Sequence, residues 1–300
     1  MVAFSLNLRT FTILLIAIFS VFCFLKVLLT QREELQRLSY EDRGDIVLEA
    51  SESLPLFSKD CFNSPLQQGW YDLKKVLMKN LGVVENANMA NFQPDLQGFD
   101  DVSLIFGEIL ADAMNSTRND LFIILEIGSF KGKSTVHMAT ECQKMAEVRK
   151  RKCVIIAIDV WLGTPYLYER DLSNFGQNKT LDLFETFYNN IKSLKLTETI
   201  YPIRLTTNMA AHVLHCFRIS ADIVFIDGDH EYDLVLRDLK SYYPLVRKNG
   251  FLFGDAINNN WPGVDKAVVD FAKLKRVIIV PRRRFWVLKK TNEDSKFFRL

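Results

Sequence analysis

The stretch LEIGSFKGKST, from Leu125 to Thr135, decides how this sequence folds. It continues an apolar run, LFII, and predicts a buried strand that ends in a glycine loop and leads into a helix. Its last four residues match the end of the Walker A pattern G-x-x-x-x-G-K-[ST], but the first glycine of that pattern would fall at Ile127. The dinucleotide pattern G-x-G-x-x-G also fails, because position 130 is Phe130. The spacing therefore argues against a nucleoside triphosphate or a dinucleotide as the ligand.

The charge beside this loop indicates a different ligand. Gly128 and Gly132 let backbone N–H groups approach a ligand at the positive end of the following helix. Glu126 lies directly before the turn, where its carboxylate would repel phosphate and attract a cation. A zwitterionic sulfonium with few or no phosphates, such as S-adenosylmethionine, fits this loop.

Alternating patterns continue from residue 119 to the end of the chain and set the fold class. Short apolar runs alternate with helical patterns, which predicts an α/β, doubly wound, Rossmann-like parallel sheet with helices on both faces. Two final runs separated by basic residues predict an antiparallel pair at the sheet edge. The runs are LFIILEI, CVIIAID, TIYPIRL, ADIVFID, GFLFGDA, RVIIVP and RFWVLKK. Ligands of such sheets bind outside the carboxyl ends of the parallel strands.

Acidic residues end most of these strands. Asp159 ends the second strand, where a carboxylate can hold a ribose diol, although a helix cap or loop carboxylate is the alternative. Trp161 and Trp261 lie on loops at the same edge, where they either stack on a ligand or pack in the protein.

The segment VFIDGDHEY gathers three ionisable side chains within four positions. Asp229 and His230 are candidate bases for taking the proton of an acceptor hydroxyl, and capping of the next helix is the alternative. Asp227 and Asp255 end neighbouring strands, so a divalent cation could bridge them.

Five landmarks together resemble class I S-adenosylmethionine-dependent methyltransferases, in particular the group of bacterial sugar and antibiotic O-methyltransferases. They are LEIGSFKGKST, IAIDVWLG, ADIVFIDGDHEYDLVLRDLKSYYPLVRKNGFLFGDA, WPGVDKAVVDFA and FWVLKK. The resemblance covers about residues 120–290 and implies a seven-stranded sheet whose last strand is antiparallel.

The resemblance also assigns roles to residues. It implies that Glu126, Gly128 and Gly132 line the methionine and ribose part of S-adenosylmethionine, and that Asp159 holds the ribose hydroxyls. In metal-dependent members, Mg²⁺ is bound at the position of Asp227 and by a pair after the fifth strand, and the position of Asp229 serves as the base. That pair reads Asp255-Ala256 here, so one expected ligand is missing and a Mg²⁺ requirement is in doubt.

The N-terminus predicts a membrane anchor. Residues 10–25 carry no charge, and after Lys26 the apolar character resumes, giving about 20 residues, enough for a hydrocarbon core of ~30 Å. A cleaved signal peptide and a buried helix are the alternatives. The predicted organisation is a tip and anchor (1–30), a polar stalk (31–60), packing helices (61–118) and a methyltransferase domain (119–300).

Other sequence features bear on location. Glycosylation sequons at Asn115 and Asn178 favour a lumenal domain on a single-pass membrane protein. The five cysteines lack C-x-x-C spacing, which argues against structural zinc, and we expect buried free thiols at Cys142 and Cys153. A formal net charge of +2 gives no support for nucleic acid as a partner.

Two functional hypotheses follow. The first is an O-methyltransferase that acts on a sugar or other small hydroxylated acceptor, tethered to a membrane by its N-terminal helix. The second is a membrane-tethered binding or scaffold protein that keeps the fold without turnover. Neither the acceptor nor the oligomeric state can be read from the sequence.

Overall fold

A computed structural model describes residues 69–81, 92–98, 101–163, 183–255 and 261–291. All of them belong to one compact unit, Phe57–Leu300. The predicted anchor and stalk lie outside these ranges and remain sequence predictions. Within the ranges, no helix is both long and apolar enough to cross a bilayer.

A seven-stranded mixed sheet forms the centre of the unit, in the order β3-β2-β1-β4-β5-β7-β6. Neighbours from β3 to β5 pair in parallel, and β7 pairs antiparallel with both β5 and β6. The predicted sheet with an antiparallel last strand is therefore confirmed. This strand, β7, lies between β5 and β6, and β6 forms the edge of the sheet. The strands are β1 (Leu121–Ile127), β2 (Lys152–Asp159), β3 (Ile200–Arg204), β4 (Ala221–Ile226), β5 (Val246–Gly254), β6 (Ile279–Arg282) and β7 (Phe285–Lys289).

Helices cover both faces of the sheet. They are α1 (Trp70–Leu81), α2 (Ser103–Asn115), α3 (Lys133–Val148), α4 (Leu183–Ser193), α5 (Thr207–Cys216), α6 (Tyr232–Tyr242) and α7 (Pro262–Lys275). One apolar core joins the sheet to α1, α5, α6 and α7, and a second joins it to α2, α3 and α4. In β1, Ile123 and Leu125 face the first core while Phe122 and Ile124 face the second, as the period of a strand requires.

The cysteines depart from the sequence prediction. Cys142 of α3 and Cys153 of β2 form a disulfide with their Cα atoms 6.1 Å apart, so the expectation of free thiols there was wrong. Both residues are buried, as expected. Their pairing follows from the packing of α3 on β2, which brings together two cysteines 11 positions apart. Cys216, at the end of α5, is also disulfide-bonded.

Candidate functional site

The strand order reverses between β1 and β4, and this switch point locates the candidate site. The connection that leaves β1 runs over one face of the sheet, and the connection that leaves β4 runs over the other face. The two connections leave a crevice outside the carboxyl ends of these strands. The residues predicted from the ends of β1, β2, β4 and β5 therefore share one edge of the sheet. The loops that follow these strands form the site.

Glycine at position 128 is required by a close approach of two loops. Gly128 has a φ of 87°, and a Cβ added there would lie 2.1 Å from the carbonyl oxygen of Asp227. The Asp227 N–H in turn donates to the carbonyl of Ile127 at 2.8 Å. Gly132 has a φ of 89° and stands at the start of α3. The two glycines shape a tight backbone turn at the positive end of that helix.

Glu126 supports this turn from inside the protein. Its carboxylate accepts hydrogen bonds from the hydroxyls of Ser129 at 2.9 Å, Ser134 at 2.5 Å and Thr135. The side chain is fully buried, and burial raises the pKa of the carboxyl to about 7 although the three hydroxyls oppose the shift. The resemblance implied that Glu126 lines the methionine part of the cofactor. In the structure it holds the loop through these hydroxyls, and a contact with the methionine part stays a prediction.

Asp159 fastens the same loop from β2. One carboxylate oxygen accepts the backbone N–H groups of Ser129 at 3.0 Å and Phe130 at 2.9 Å. The other oxygen accepts the N–H of Trp161 at 2.7 Å. The loop-carboxylate alternative is thus what the structure shows, and the contact with a ribose diol stays a prediction. Asp159 remains at the rim of the crevice, because it is only partly buried.

Trp161 packs in the core and does not offer a stacking surface. It is 1% exposed, and its indole N–H donates to the carbonyl of Phe130 at 2.7 Å. Its ring lies against Phe184 and Phe187, with centroids 5.0 and 4.8 Å away. The packing alternative is thus what the structure shows, and a contact of Trp161 with the cofactor stays a prediction. Sequence alone did not indicate which alternative applies.

A docked segment covers the far side of the loop. Asn190 of α4 exchanges two hydrogen bonds with the backbone of Asp95, both at 2.9 Å, and also donates to the carbonyl of Lys131 at 2.8 Å. The Lys131 amine pairs with the Asp95 carboxylate at 2.7 Å. Lys133, the lysine of the Walker-like ending, donates to the carbonyl of Gly98 at 3.3 Å. Sequence analysis missed Asn190, because only the fold brings it next to residues 92–98.

Asp229 shapes the start of α6. Its Oδ1 accepts the backbone N–H groups of His230 at 2.8 Å and Glu231 at 2.9 Å. This is the capping role that was the alternative to a catalytic base. The side chain is exposed at the crevice edge, so the predicted role as a base remains compatible with the geometry.

His230 lies half-buried beside Trp261. Its ring stacks obliquely on Trp261, with centroids 4.5 Å apart. Burial lowers the pKa of the imidazole, and the carboxylates of Asp255 and Asp229 oppose that shift only in part. A neutral imidazole near pH 7 can accept a proton. Trp261 is 43% exposed, so the structure leaves its role as a stacking surface a prediction.

One member of the predicted metal pair is already paired with a cationic side chain. The buried carboxylate of Asp255 receives two hydrogen bonds from Arg284, at 2.8 Å from Nε and 2.9 Å from Nη2. The guanidinium, which is itself a cation, uses both carboxylate oxygens. Across the part of the chain that the structure describes, no cluster of three or more His, Cys, Asp or Glu side chains has metal-binding geometry. Asp255, paired in this way, does not fit Mg²⁺, and the role of Asp227 as a metal ligand stays a prediction.

Sequence analysis missed Arg284. It belongs to the basic residues that separate the last two apolar runs, a pattern that by itself indicates no acidic partner. Its position follows from β7, which runs antiparallel beside β5 and so brings residue 284 to the carboxyl end of β5. The available signal was an arginine directly before the last apolar run, but its acidic partner could be identified only from the strand order.

Comparisons with known proteins match the segment that contains the glycine turn. Residues 125–257 match a family model described as a methyltransferase domain. An uncharacterized protein of Acanthamoeba polyphaga mimivirus is 30% identical over 169 residues, which are 54% of this chain. The match spans 66% of that relative, just under two thirds of its length.

Solved structures with similar folds include three methyltransferases. The O-methyltransferase NovP is 18% identical, with 62% of this chain and 78% of that one covered and a TM-score of 0.46. A calicheamicin methyltransferase is 15% identical, with 80% and 92% covered and a TM-score of 0.44. An O-methyltransferase from Bacillus cereus, in complex with SAH, is 14% identical, with 72% and 91% covered and a TM-score of 0.41. The match of residues 125–257 to the methyltransferase-domain family confirms the resemblance predicted from the sequence.

Proposed function

We propose that this chain is an S-adenosylmethionine-dependent methyltransferase that methylates a hydroxyl group of a sugar or another small acceptor. The observation that carries the proposal is the turn at Gly128 and Gly132, which opens at the switch point of the sheet and lies inside the segment that matches the methyltransferase-domain family. Similar folds serve many functions, so the site supports the proposal more than the fold does.

The cofactor would lie against the turn between β1 and α3. Backbone N–H groups at the positive end of α3 suit the carboxylate end of the methionine part. The carboxylate of Asp227, on the neighbouring loop, suits its ammonium and sulfonium charges, and Asp159 suits the ribose hydroxyls. A triphosphate would need cationic side chains at the turn. Lys133 instead contacts the carbonyl of Gly98, and acidic groups flank the turn. These contacts favour a zwitterionic cofactor over a nucleoside triphosphate.

Methyl transfer needs a base beside the acceptor oxygen. As the oxygen attacks, the new O–C bond forms while the S–C bond breaks, and the hydroxyl proton goes to the base. S-Adenosylhomocysteine then leaves with both electrons of the broken bond. We assign the base role to His230 or Asp229, which lie together at the crevice edge. The low pKa of His230 keeps its imidazole neutral and able to take the proton.

Arg284 suggests that this reaction runs without a divalent metal. In a metal-dependent site the cation lowers the pKa of the acceptor hydroxyl. Here the positive charge at Asp255 is the guanidinium of Arg284, whose side chain is 38% exposed. We propose that its exposed part helps to position a polar or anionic acceptor.

The test is transfer of a labelled methyl group. The full chain is incubated with methyl-labelled S-adenosylmethionine and a panel of sugars, nucleotide sugars and phenols, with and without EDTA. We expect label in at least one hydroxylated acceptor and the same rate with EDTA. Labelling that requires added Mg²⁺ would contradict the metal-free account.

Two variants then separate the candidate bases. H230Q and D229N should each be compared with H212Q, which changes a histidine of α5 outside the site. A large loss of kcat in H230Q or D229N, with H212Q unchanged, identifies the base. Cofactor binding without transfer to any acceptor would favour the second hypothesis, a non-catalytic binding or scaffold protein.

We also propose that residues 10–29 anchor the domain as a single-pass membrane protein, with the domain in a lumen. The apolar run and the two sequons support this proposal. Extraction with alkaline carbonate tests it: the full chain should stay in the membrane pellet, and release into the supernatant would contradict the anchor.

A further inference from the structure

The disulfides restrict where this domain can fold. Three of the five cysteines lie in the described ranges, and all three are disulfide-bonded. Cys142 and Cys153 form their bridge inside the second apolar core, between α3 and β2. Stable structural disulfides form in secretory and extracellular compartments and are rare in the cytosol. The cysteine pattern therefore favours a domain that matures in an oxidising lumen.

A glycosylation sequon lies on the surface of the same domain. Asn115 is the last residue of α2 and is exposed, and Ser116 and Thr117 complete the triplet. The amide oxygen of Asn115 accepts a hydrogen bond from Arg149 at 3.2 Å. Attachment of a glycan uses the amide nitrogen, which this contact does not involve. The acceptor asparagine is thus presented on the outside of the fold.

The sequon lies at the end of the sheet opposite the candidate site. The hydroxyl of Ser116 donates to the carbonyl of Asn249 at 3.1 Å, in the first half of β5. Arg151, which directly precedes β2, donates to the carbonyl of Thr117 at 2.7 Å. These contacts place the sequon beside the amino ends of the parallel strands, whereas the glycine turn lies at their carboxyl ends. A glycan there would leave the crevice open.

We propose that the domain matures in an oxidising secretory lumen and carries an N-linked glycan on Asn115. Two independent observations support the proposal: the oxidised cysteines indicate the compartment, and the exposed sequon supplies an acceptor far from the crevice. The proposal does not depend on methyltransferase activity. The modifying reaction is transfer of an oligosaccharide from a lipid-linked pyrophosphate donor to the asparagine amide nitrogen. A bond from this nitrogen to the first sugar carbon forms, the bond from that carbon to the pyrophosphate oxygen breaks, the lipid pyrophosphate leaves, and the amide loses one proton.

The test uses the full chain expressed in animal cells and treated with a peptide N-glycosidase. N115Q and T117A should each remove one glycan-sized step from the mobility shift, because each destroys the sequon. T117S keeps the sequon and should keep the glycan, and N119Q changes a nearby asparagine without a sequon. A shift that is unchanged in both N115Q and T117A would overturn the Asn115 site.

The compartment has a separate readout. Cells are treated with a thiol-blocking reagent before lysis, and the isolated protein is then reduced and labelled with a maleimide. We expect Cys142 and Cys153 to be labelled only after reduction. The contradicting result has two parts: the reagent blocks both thiols in the cell, and neither sequon carries a glycan. This result would place the domain outside an oxidising lumen. Because neither readout measures methyl transfer, failure here is distinguishable from failure of the proposed function.

Discussion

Replacing Glu126 with glutamine tests how the glycine turn is supported. The wild-type carboxyl is fully buried among three hydroxyls, with a pKa raised from 4.5 to about 7. Glutamine keeps the shape and a hydrogen-bonding oxygen but cannot ionise. The substitution therefore removes the titration and leaves most of the packing intact.

The magnitude follows from linkage. Because the folded state holds this proton more tightly than the unfolded state, raising the pH from 4.5 to 7 costs the wild type stability. A shift of roughly 2.5 pKa units at ~1.4 kcal/mol per unit gives about 3 kcal/mol, an order-of-magnitude value. The loss is nearly complete at pH 8. E126Q lacks it, so its free energy of unfolding relative to wild type should rise by about 3 kcal/mol between pH 4.5 and 8.

Urea unfolding followed by tryptophan fluorescence measures this difference at several pH values, with the disulfides left oxidised. Other titrating groups, such as Asp238 and His215, occur in both proteins and cancel in the comparison. The control E147Q removes an exposed carboxyl from α3, the helix that follows the turn, and should not show the gain. A difference between E126Q and wild type that is flat across the range would refute the assigned burial of a shifted carboxyl.

Three further predictions concern the turn, the disulfide and the arginine. G128A should destabilise the domain by more than ~2 kcal/mol in thermal unfolding, because its Cβ would lie 2.1 Å from the Asp227 carbonyl oxygen at a positive φ. The control G107A, whose added Cβ meets nothing within 4 Å, should be neutral or stabilising. The double variant C142A/C153A should have a free energy of unfolding about 3 kcal/mol below that of the oxidised wild type. If the variant is lower by the same amount when the wild-type disulfide is kept reduced, the bridge does not cause the difference. R284Q should lower the free energy of unfolding in urea by roughly 2 kcal/mol, because it leaves the Asp255 carboxylate unpaired. The loss is smaller than for a fully buried pair, since Arg284 is partly exposed. The control R282Q breaks the surface pair of Arg282 and Glu108, 3.6 Å apart, and should have little effect.

The sheet and the edge that carries the site could be predicted because the signals are local. Each parallel strand is a continuous apolar run, and the acids that follow these runs share one edge wherever parallel strands form a sheet. The glycine at position 128 could be singled out from its place between a strand and a helix. That glycine is required there follows only from the neighbouring carbonyl of Asp227, the residue directly after β4.

The contacts that sequence analysis missed depend on the order of the strands. Arg284 reaches Asp255 across 29 positions only because β7 inserts beside β5. Cys142 meets Cys153 only because α3 packs back on β2. The same holds for Glu126, since a carboxylate beside a glycine turn suggests a ligand contact until the three hydroxyls around it are known.

The central claim is that the turn at Gly128 and Gly132 binds S-adenosylmethionine, and titration calorimetry of the full chain tests it most directly. We expect saturable binding of S-adenosylmethionine and S-adenosylhomocysteine, no competition from Mg²⁺-ATP, loss of binding in G128A, and retention in G107A and K133A. Heat that does not saturate with either ligand in a folded protein, or tight binding of Mg²⁺-ATP that K133A abolishes, would contradict the account.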